Sequence, residues 1–184
     1  MSSYSDKLVA GSPFPDIKLH DLKNGMHTLG KPSGGATWHM VIIYRGRHCP
    51  LCTKFLNSLE LLLPELAEIG IEVIASSADS KEQLQEHLTR LNVTFTFTYG
   101  LTEAQLRSLG LYISIPRSEQ ETDHNFAEPG LFVINEEGTV QVVDISNNPF
   151  SRPDLETMTS GLSWIRNPEN NYPIRGTAPY LSGD

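Results

Sequence analysis

The sequence predicts an α/β sandwich in which a central mixed β-sheet is flanked by helices and extended at its N-terminus by a β-hairpin. Three features predict it. Trp38 to Tyr44 is an apolar run too continuous for a strand with one wet face, so it belongs in the middle of a sheet covered on both sides. Helical and strand patterns alternate after it. Further on, Leu131 to Asn135 and Thr139 to Ile145 flank a turn at Glu136-Glu137-Gly138 and read as an antiparallel hairpin.

The remaining elements follow in order. Asp16 to Asp21 alternates apolar and polar residues, and with Met26 to Leu29 it makes a small strand pair joined at Asn24-Gly25. A Gly, Pro and Ser cluster, Gly30 to Gly35, closes that preface. From Pro50 the pattern turns helical, with Phe55, Leu59, Leu62, Leu63 and Leu66 on one face and Gly70 as a stop. Pro64 should kink or split this helix. Ile71 to Ala75 is a second buried strand. Ser80 with Gln83 opens a helix through about Leu91, and Thr102 with Gln105 opens a short one closed by Gly110. Phe95 to Tyr99 and Leu111 to Ile115 read as short strands, and Pro116 to Asn125 as a polar loop. A final helix runs from about Pro153 to Ile165. Residues 1–166 are therefore expected to form one domain, and residues 167–184 an extended tail.

At 184 residues with 39% hydrophobic content, the chain can bury one good core and not two. A net charge of −8 without a Lys or Arg cluster argues against nucleic acid or an anionic membrane as partner. The N-terminus lacks the charged start and apolar core of an export signal, and the apolar runs are far short of a membrane span, so a cytoplasmic location is expected. In a reducing compartment, two cysteines three residues apart point to redox or metal chemistry rather than a structural bridge.

Those cysteines, Cys49 and Cys52, carry the chemistry of this reading. Cys49 lies where a central strand ends and a helix begins, so unpaired N–H groups and the positive end of the helix dipole favour its thiolate. Such placement lowers a thiol pKa from about 8.5 to roughly 3.5–7.5, and at a pKa of ~6.5 about three quarters of the thiol is anion at pH 7. Arg45, Arg47 and His48 add to this if their charges point inward. Cys52 falls on the same side of the first helical turn, within reach of a reversible disulfide. Cys49 is therefore expected to be exposed and acidic, and Cys52 buried and near its ordinary pKa.

The alternatives are two inert buried thiols, or half of a zinc site. For the latter, His20, His27, His39, His87 and His124 show no ligand-like spacing, and no metal or cofactor is expected. At the carboxyl ends of the strands, Ser76, Ser77 and Asp79 should come near the dithiol, unless Asp79 or Ser80 simply caps a helix. The loop Ser146 to Arg152 should also approach, with Arg152 binding a substrate anion, stabilising a thiolate or forming a surface ion pair. His48 is a candidate base beside the nucleophile, and Glu128 a candidate proton buffer for Cys52. Trp38 and Trp164 are expected to pack.

The order strand, helix, strand, helix, hairpin, helix is that of a thioredoxin-like sandwich with additions at the front and middle. Tyr44-Arg45-Gly46 leading into Cys49-Pro50-Leu51-Cys52, then Phe126-Ala127-Glu128-Pro129-Gly130-Leu131-Phe132-Val133-Ile134, and finally Asn148-Pro149-Phe150-Ser151-Arg152-Pro153, narrow this further. Over roughly residues 12 to 165 the chain resembles the peroxiredoxin-like branch grouped with alkyl hydroperoxide reductase and thiol-specific antioxidant proteins. The resemblance implies that Cys49 is the peroxidatic cysteine, that Cys52 resolves it, and that Pro129 is a cis-proline in contact with Cys49. The chain departs from the family where Ile42 stands at the usual Pro and Gly46 at the usual Thr. The usual strand-borne Arg is also missing, so Arg45 or Arg152 would have to take its place beside the peroxide.

The expected function is a thiol peroxidase acting on a hydroperoxide and re-reduced by an external dithiol such as a thioredoxin or glutaredoxin. Arg45, Gly46, His48, Pro129 and Arg152 are its expected substrate contacts. The alternatives are a thiol-disulfide oxidoreductase acting on protein disulfides and a module whose thiols merely sense redox state. The loop Pro116 to Asn125 and the tail from Asn167 are candidate contacts of a homodimer.

Overall fold

The N-terminal hairpin forms between β1 (Lys18–His20) and β2 (Met26–Thr28), with Leu19 opposite His27. Its turn is held by Asp21, whose Oδ1 accepts the Lys23 and Gly25 amides at 2.8 Å each, while Oδ2 meets His27 Nε2 at 2.9 Å. The structure is a computed structural model and describes residues 7–178. The expectations for residues 1–6 and 179–184 lie outside them.

The central strand, β3 (Trp38–Ile43), is buried along its whole length, as the apolar run predicts. It pairs in parallel with β4 (Ile71–Ser76), which pairs in parallel with β5 (Thr96–Thr98). On its other side lies β8 (Gly130–Ile134), antiparallel, and beyond that β9 (Val140–Ile145), giving the order β5-β4-β3-β8-β9. Side chains alternate across this sheet. Trp38, Met40 and Ile42 face a core with Phe55, Leu56, Leu59, Leu66 and Leu162, whereas Val41 and Ile43 face Ile17, Leu19, Leu101, Leu106 and Leu109. Each fully buried side chain of this size contributes about 1.5–3 kcal/mol, so truncating Leu59 to Ala should cost about 2–5 kcal/mol.

The helical run after the dithiol is split rather than kinked. It forms α1 (Pro50–Glu60) and α2 (Leu63–Glu68), with Pro64 in the first turn of the second, where its missing N–H costs nothing. The third helix, α3 (Lys81–Leu88), has the predicted capping box of Ser80 and Gln83 but ends before Leu91. There the amides of Thr89, Arg90 and Leu91 turn to carbonyls three residues back, which tightens the chain and stops the α-ladder. The fourth, α4 (Glu103–Ser108), carries the second capping box, Thr102 with Gln105. A short ribbon of β6 (Ile113–Ser114) and β7 (Phe126–Ala127) clamps the base of the polar loop. The last helix, α5 (Leu155–Arg166), is capped by Asp154, and a 3₁₀ turn at Pro168–Asn170 follows. Among the described residues no helix is long and apolar enough to cross a membrane.

Candidate active site

β3 delivers Tyr44 and Arg45 to the sheet edge, and the chain then turns sharply through Gly46 to enter α1. Gly46 has φ +132°, and a Cβ there would lie 2.5 Å from Asp79 Oδ1. Glycine is thus required twice, by backbone conformation and by the close approach of a carboxylate. This explains why the Thr of related proteins is absent. Asp79, fully buried, accepts the Arg47 amide at 2.7 Å and so pins the turn, while Ser80 takes the capping role.

Cys49 occupies the N-cap of α1 with no side-chain cap bond, which leaves its sulfur free to receive donors. Its pKa falls to about 5, mainly because the Cys52 thiol donates to it, assisted by the Cys52 amide and the Arg45 guanidinium and opposed by burial. Cys52 behaves oppositely. Burial raises its pKa well above the ordinary thiol value, and the nearby Cys49 charge raises it further, against the opposing effect of Arg152. The predicted direction of asymmetry is present, with two corrections. Cys52 is raised rather than ordinary, because no water reaches it. Cys49 is 1% exposed rather than open, and its neighbours in this region, Arg45 and His48, both lie against the Phe126 ring, at 4.7 and 4.5 Å.

The two candidate arginines go to different sulfurs. The Arg45 guanidinium is near enough to Cys49 to favour its thiolate, and it is held by Glu128 at 3.2 Å and by Glu121 at 3.9 Å. Glu128 is itself buried and accepts the Ser114 hydroxyl at 2.7 Å, so it positions Arg45 rather than serving Cys52. Arg152 lies over the Phe55 ring at 4.9 Å and places Nη2 3.0 Å from Cys52 Sγ, not on Cys49. Arg47 turns outward to an ion pair with Glu86. Burial and the charge of Arg45 depress His48 to about 4, so at neutral pH it adds no charge to the thiolate.

Pro129 corrects another expectation, since the described residues contain no cis peptide bond. The trans form is the default before proline. What ties this strand edge to the dithiol is Glu128, through Arg45. Ser76 and Ser77 are buried near the sheet end and serve local bonds, Ser76 to the Thr98 carbonyl at 3.3 Å and Ser77 to the Asp79 amide at 3.3 Å. Sequence reading missed Glu121, whose place depends on how a long polar loop folds back. Its one signal was Arg117 four residues earlier, which it meets at 3.1 Å. Among the described residues no group of three or more His, Cys, Asp or Glu side chains is arranged to hold a metal ion.

A buried thiol pair at the mouth of a helix in a thioredoxin-like sheet, one sulfur acidic and the other not, defines a thiol-dependent redox protein. Residues 10–143 match the AhpC/TSA family, and the chain belongs to it. It is therefore a thiol-dependent peroxidase or oxidoreductase. The fold is similar to that of a peroxiredoxin-like protein from Aquifex aeolicus, with TM-score 0.69 and 14% identity over 87% of this chain and 89% of that one. It is similar also to AhpC of Mycobacterium tuberculosis, with TM-score 0.68 and 14% identity over 89% and 96% of the two chains. The reduced 2-Cys peroxiredoxin of Plasmodium vivax gives TM-score 0.67 and 16% identity over 89% and 99%. No curated protein matches the sequence significantly.

Proposed function

We propose that the chain is a peroxidase in which the Cys49 thiolate attacks the terminal oxygen of a hydroperoxide. The O–O bond breaks, Cys49 becomes a sulfenic acid, and the alkoxide leaves and takes up a proton. Cys52 then attacks the sulfenic sulfur, releasing water and forming the Cys49–Cys52 disulfide. An external dithiol reopens it, which a reducing compartment such as the cytoplasm supplies. The observation that carries this reading is the Arg45 guanidinium on a sulfur with pKa about 5, a fixed donor placed beside the charge that the departing oxygen develops. Gly46 leaves no hydroxyl for that task, so Arg45 and the amides at the start of α1 perform it.

A second reading is supported by the Cys-x-x-Cys spacing itself, since an acidic first sulfur and a reluctant second one also suit thiol-disulfide exchange. Against it stands the 1% exposure of Cys49, which admits a small peroxide more readily than a protein disulfide. Stopped-flow oxidation of the reduced protein by hydrogen peroxide separates the two. The peroxidase reading expects a rate far above that of a free low-pKa thiol, and one equivalent consumed per chain in Cys52→Ser. Peroxide reacting no faster than with a free thiol, while insulin disulfides are reduced catalytically, would transfer the assignment to the oxidoreductase.

A further inference from the structure

Between α1 and residues 149–156 runs a groove of about 590 Å³, lined by Leu51, Phe55, Leu62, Pro149 and Arg152 among others. Arg152 joins it to the dithiol. The same side chain that lines the groove places Nη2 3.0 Å from Cys52 Sγ, while its Nε donates to the Pro149 carbonyl at 3.0 Å and its guanidinium lies over the Phe55 ring. Arg45 and His48, the neighbours of Cys49, lie outside this wall. The groove therefore approaches Cys52 and not Cys49. Its rim is apolar and open. Among the described residues the three most exposed large apolar side chains are Phe150 at 83%, Leu61 at 79% and Ile115 at 79%, and the first two border this groove. Exposed apolar side chains gathered at one concave place mark a surface that another protein covers. Charge points the same way, because Lys54 and Arg152 are balanced by Asp154 and Glu156 and leave no net field to collect a small charged thiol.

The chemistry of the dithiol selects the partner. A Cys49–Cys52 disulfide is reopened by an external thiolate, which bonds to one sulfur and expels the other. The more acidic thiol is expelled faster. Cys49, with pKa about 5, is the better leaving group, since burial pushes Cys52 well above the ordinary thiol value. The sulfur to attack is then Cys52, the one that the groove approaches. In the disulfide Cys52 has no anionic form for Arg152 to hold, so the guanidinium is available to the incoming thiolate.

We propose that this groove docks the dithiol protein that re-reduces the chain, through Phe150 and Leu61, and that the first thiolate of that protein attacks Cys52 beside Arg152. The inference rests on the Cys49–Cys52 disulfide, which the peroxidase and oxidoreductase readings both require. The new bond joins the reductant's sulfur to Cys52, the Cys49–Cys52 bond breaks, and its electron pair leaves on Cys49 as thiolate. The reductant's second thiolate then closes on its own first sulfur. Cys52 departs and takes up a proton, the reductant is oxidised to a disulfide, and the chain has gained two electrons.

The test takes the full chain, oxidised with diamide, and a thioredoxin whose second cysteine is replaced by serine, so that the mixed disulfide persists. After an acid quench and alkylation with N-ethylmaleimide, fragment-ion mapping should find thioredoxin on Cys52 and the alkyl group on Cys49. Thioredoxin on Cys49 overturns the proposal. Phe150→Ser and Leu61→Ser should each lower kcat/KM for reduction by intact thioredoxin about tenfold and leave reduction by dithiothreitol unchanged. Equal losses with both reductants, no loss with either, or a thioredoxin rate no higher than that of dithiothreitol overturns the docking surface. So does a dimer in sedimentation that Phe150→Ser dissociates, which assigns the groove to a second copy of the chain. If diamide closes no Cys49–Cys52 disulfide, this inference falls together with the disulfide step of the proposed function. A disulfide that forms and then fails either test removes this inference alone.

Discussion

Cys49 and Cys52 share one helical turn and each faces an arginine, yet they titrate in opposite directions. Arg152 lies as close to Cys52, at 3.0 Å, as a hydrogen bond requires, and still fails to bring that thiol down. The difference lies in what else surrounds each sulfur. Cys49 sits at the helix mouth and receives donors from Cys52 and Arg45, so its anion is solvated by the protein. Cys52 is enclosed among Phe55, Leu56 and Leu59, and its negative charge would stand next to that of Cys49. A cation near a thiol is therefore not enough to activate it. The number of donors and the absence of a competing anion decide.

The comparison breaks most severely at Arg45. Replacing Arg45 by Met should slow oxidation of Cys49 by peroxide on the order of a hundredfold, as loss of one fixed donor at a developing charge does. Arg152→Met should leave that first step nearly unchanged and slow closure of the disulfide by about tenfold, with the sulfenic acid trapped by dimedone and seen by mass spectrometry. Equal effects of the two substitutions on the first step would refute the division of labour.

The turn that separates the two environments offers the next test. Gly46→Thr forces a side chain into Asp79 at a left-handed backbone position and should lower stability by about 2 kcal/mol in urea unfolding. Combining it with Asp79→Ala should recover part of the loss, unless the backbone conformation alone is responsible. The smallest effect concerns pH. Thiolate absorbance should appear with a midpoint of about 5, and the peroxide rate should rise with pH through that midpoint and level off above it, because the anion is the nucleophile. Cys52→Ala removes the first donor to Cys49 and should move both midpoints upward together.

The N-terminal hairpin, the buried central strand, both capping boxes and the C-terminal hairpin were legible in the sequence because each depends on neighbours within a few residues. The pairing of a helix-mouth cysteine with a second cysteine three residues on was legible for the same reason. Assigning Arg45 and Arg152 to different sulfurs was not, since it depends on where two side chains 107 residues apart in sequence converge on one helix. Nor was the packing of Arg45 against Phe126, the support of Arg45 by Glu128 and Glu121, or the trans bond at Pro129. Local sequence determines which backbone elements form and where a thiolate is favoured. Burial and charge at each sulfur come from side chains delivered by distant strands and loops, so only the tertiary structure decides how far each thiol shifts and which groups hold the Cys49 thiolate.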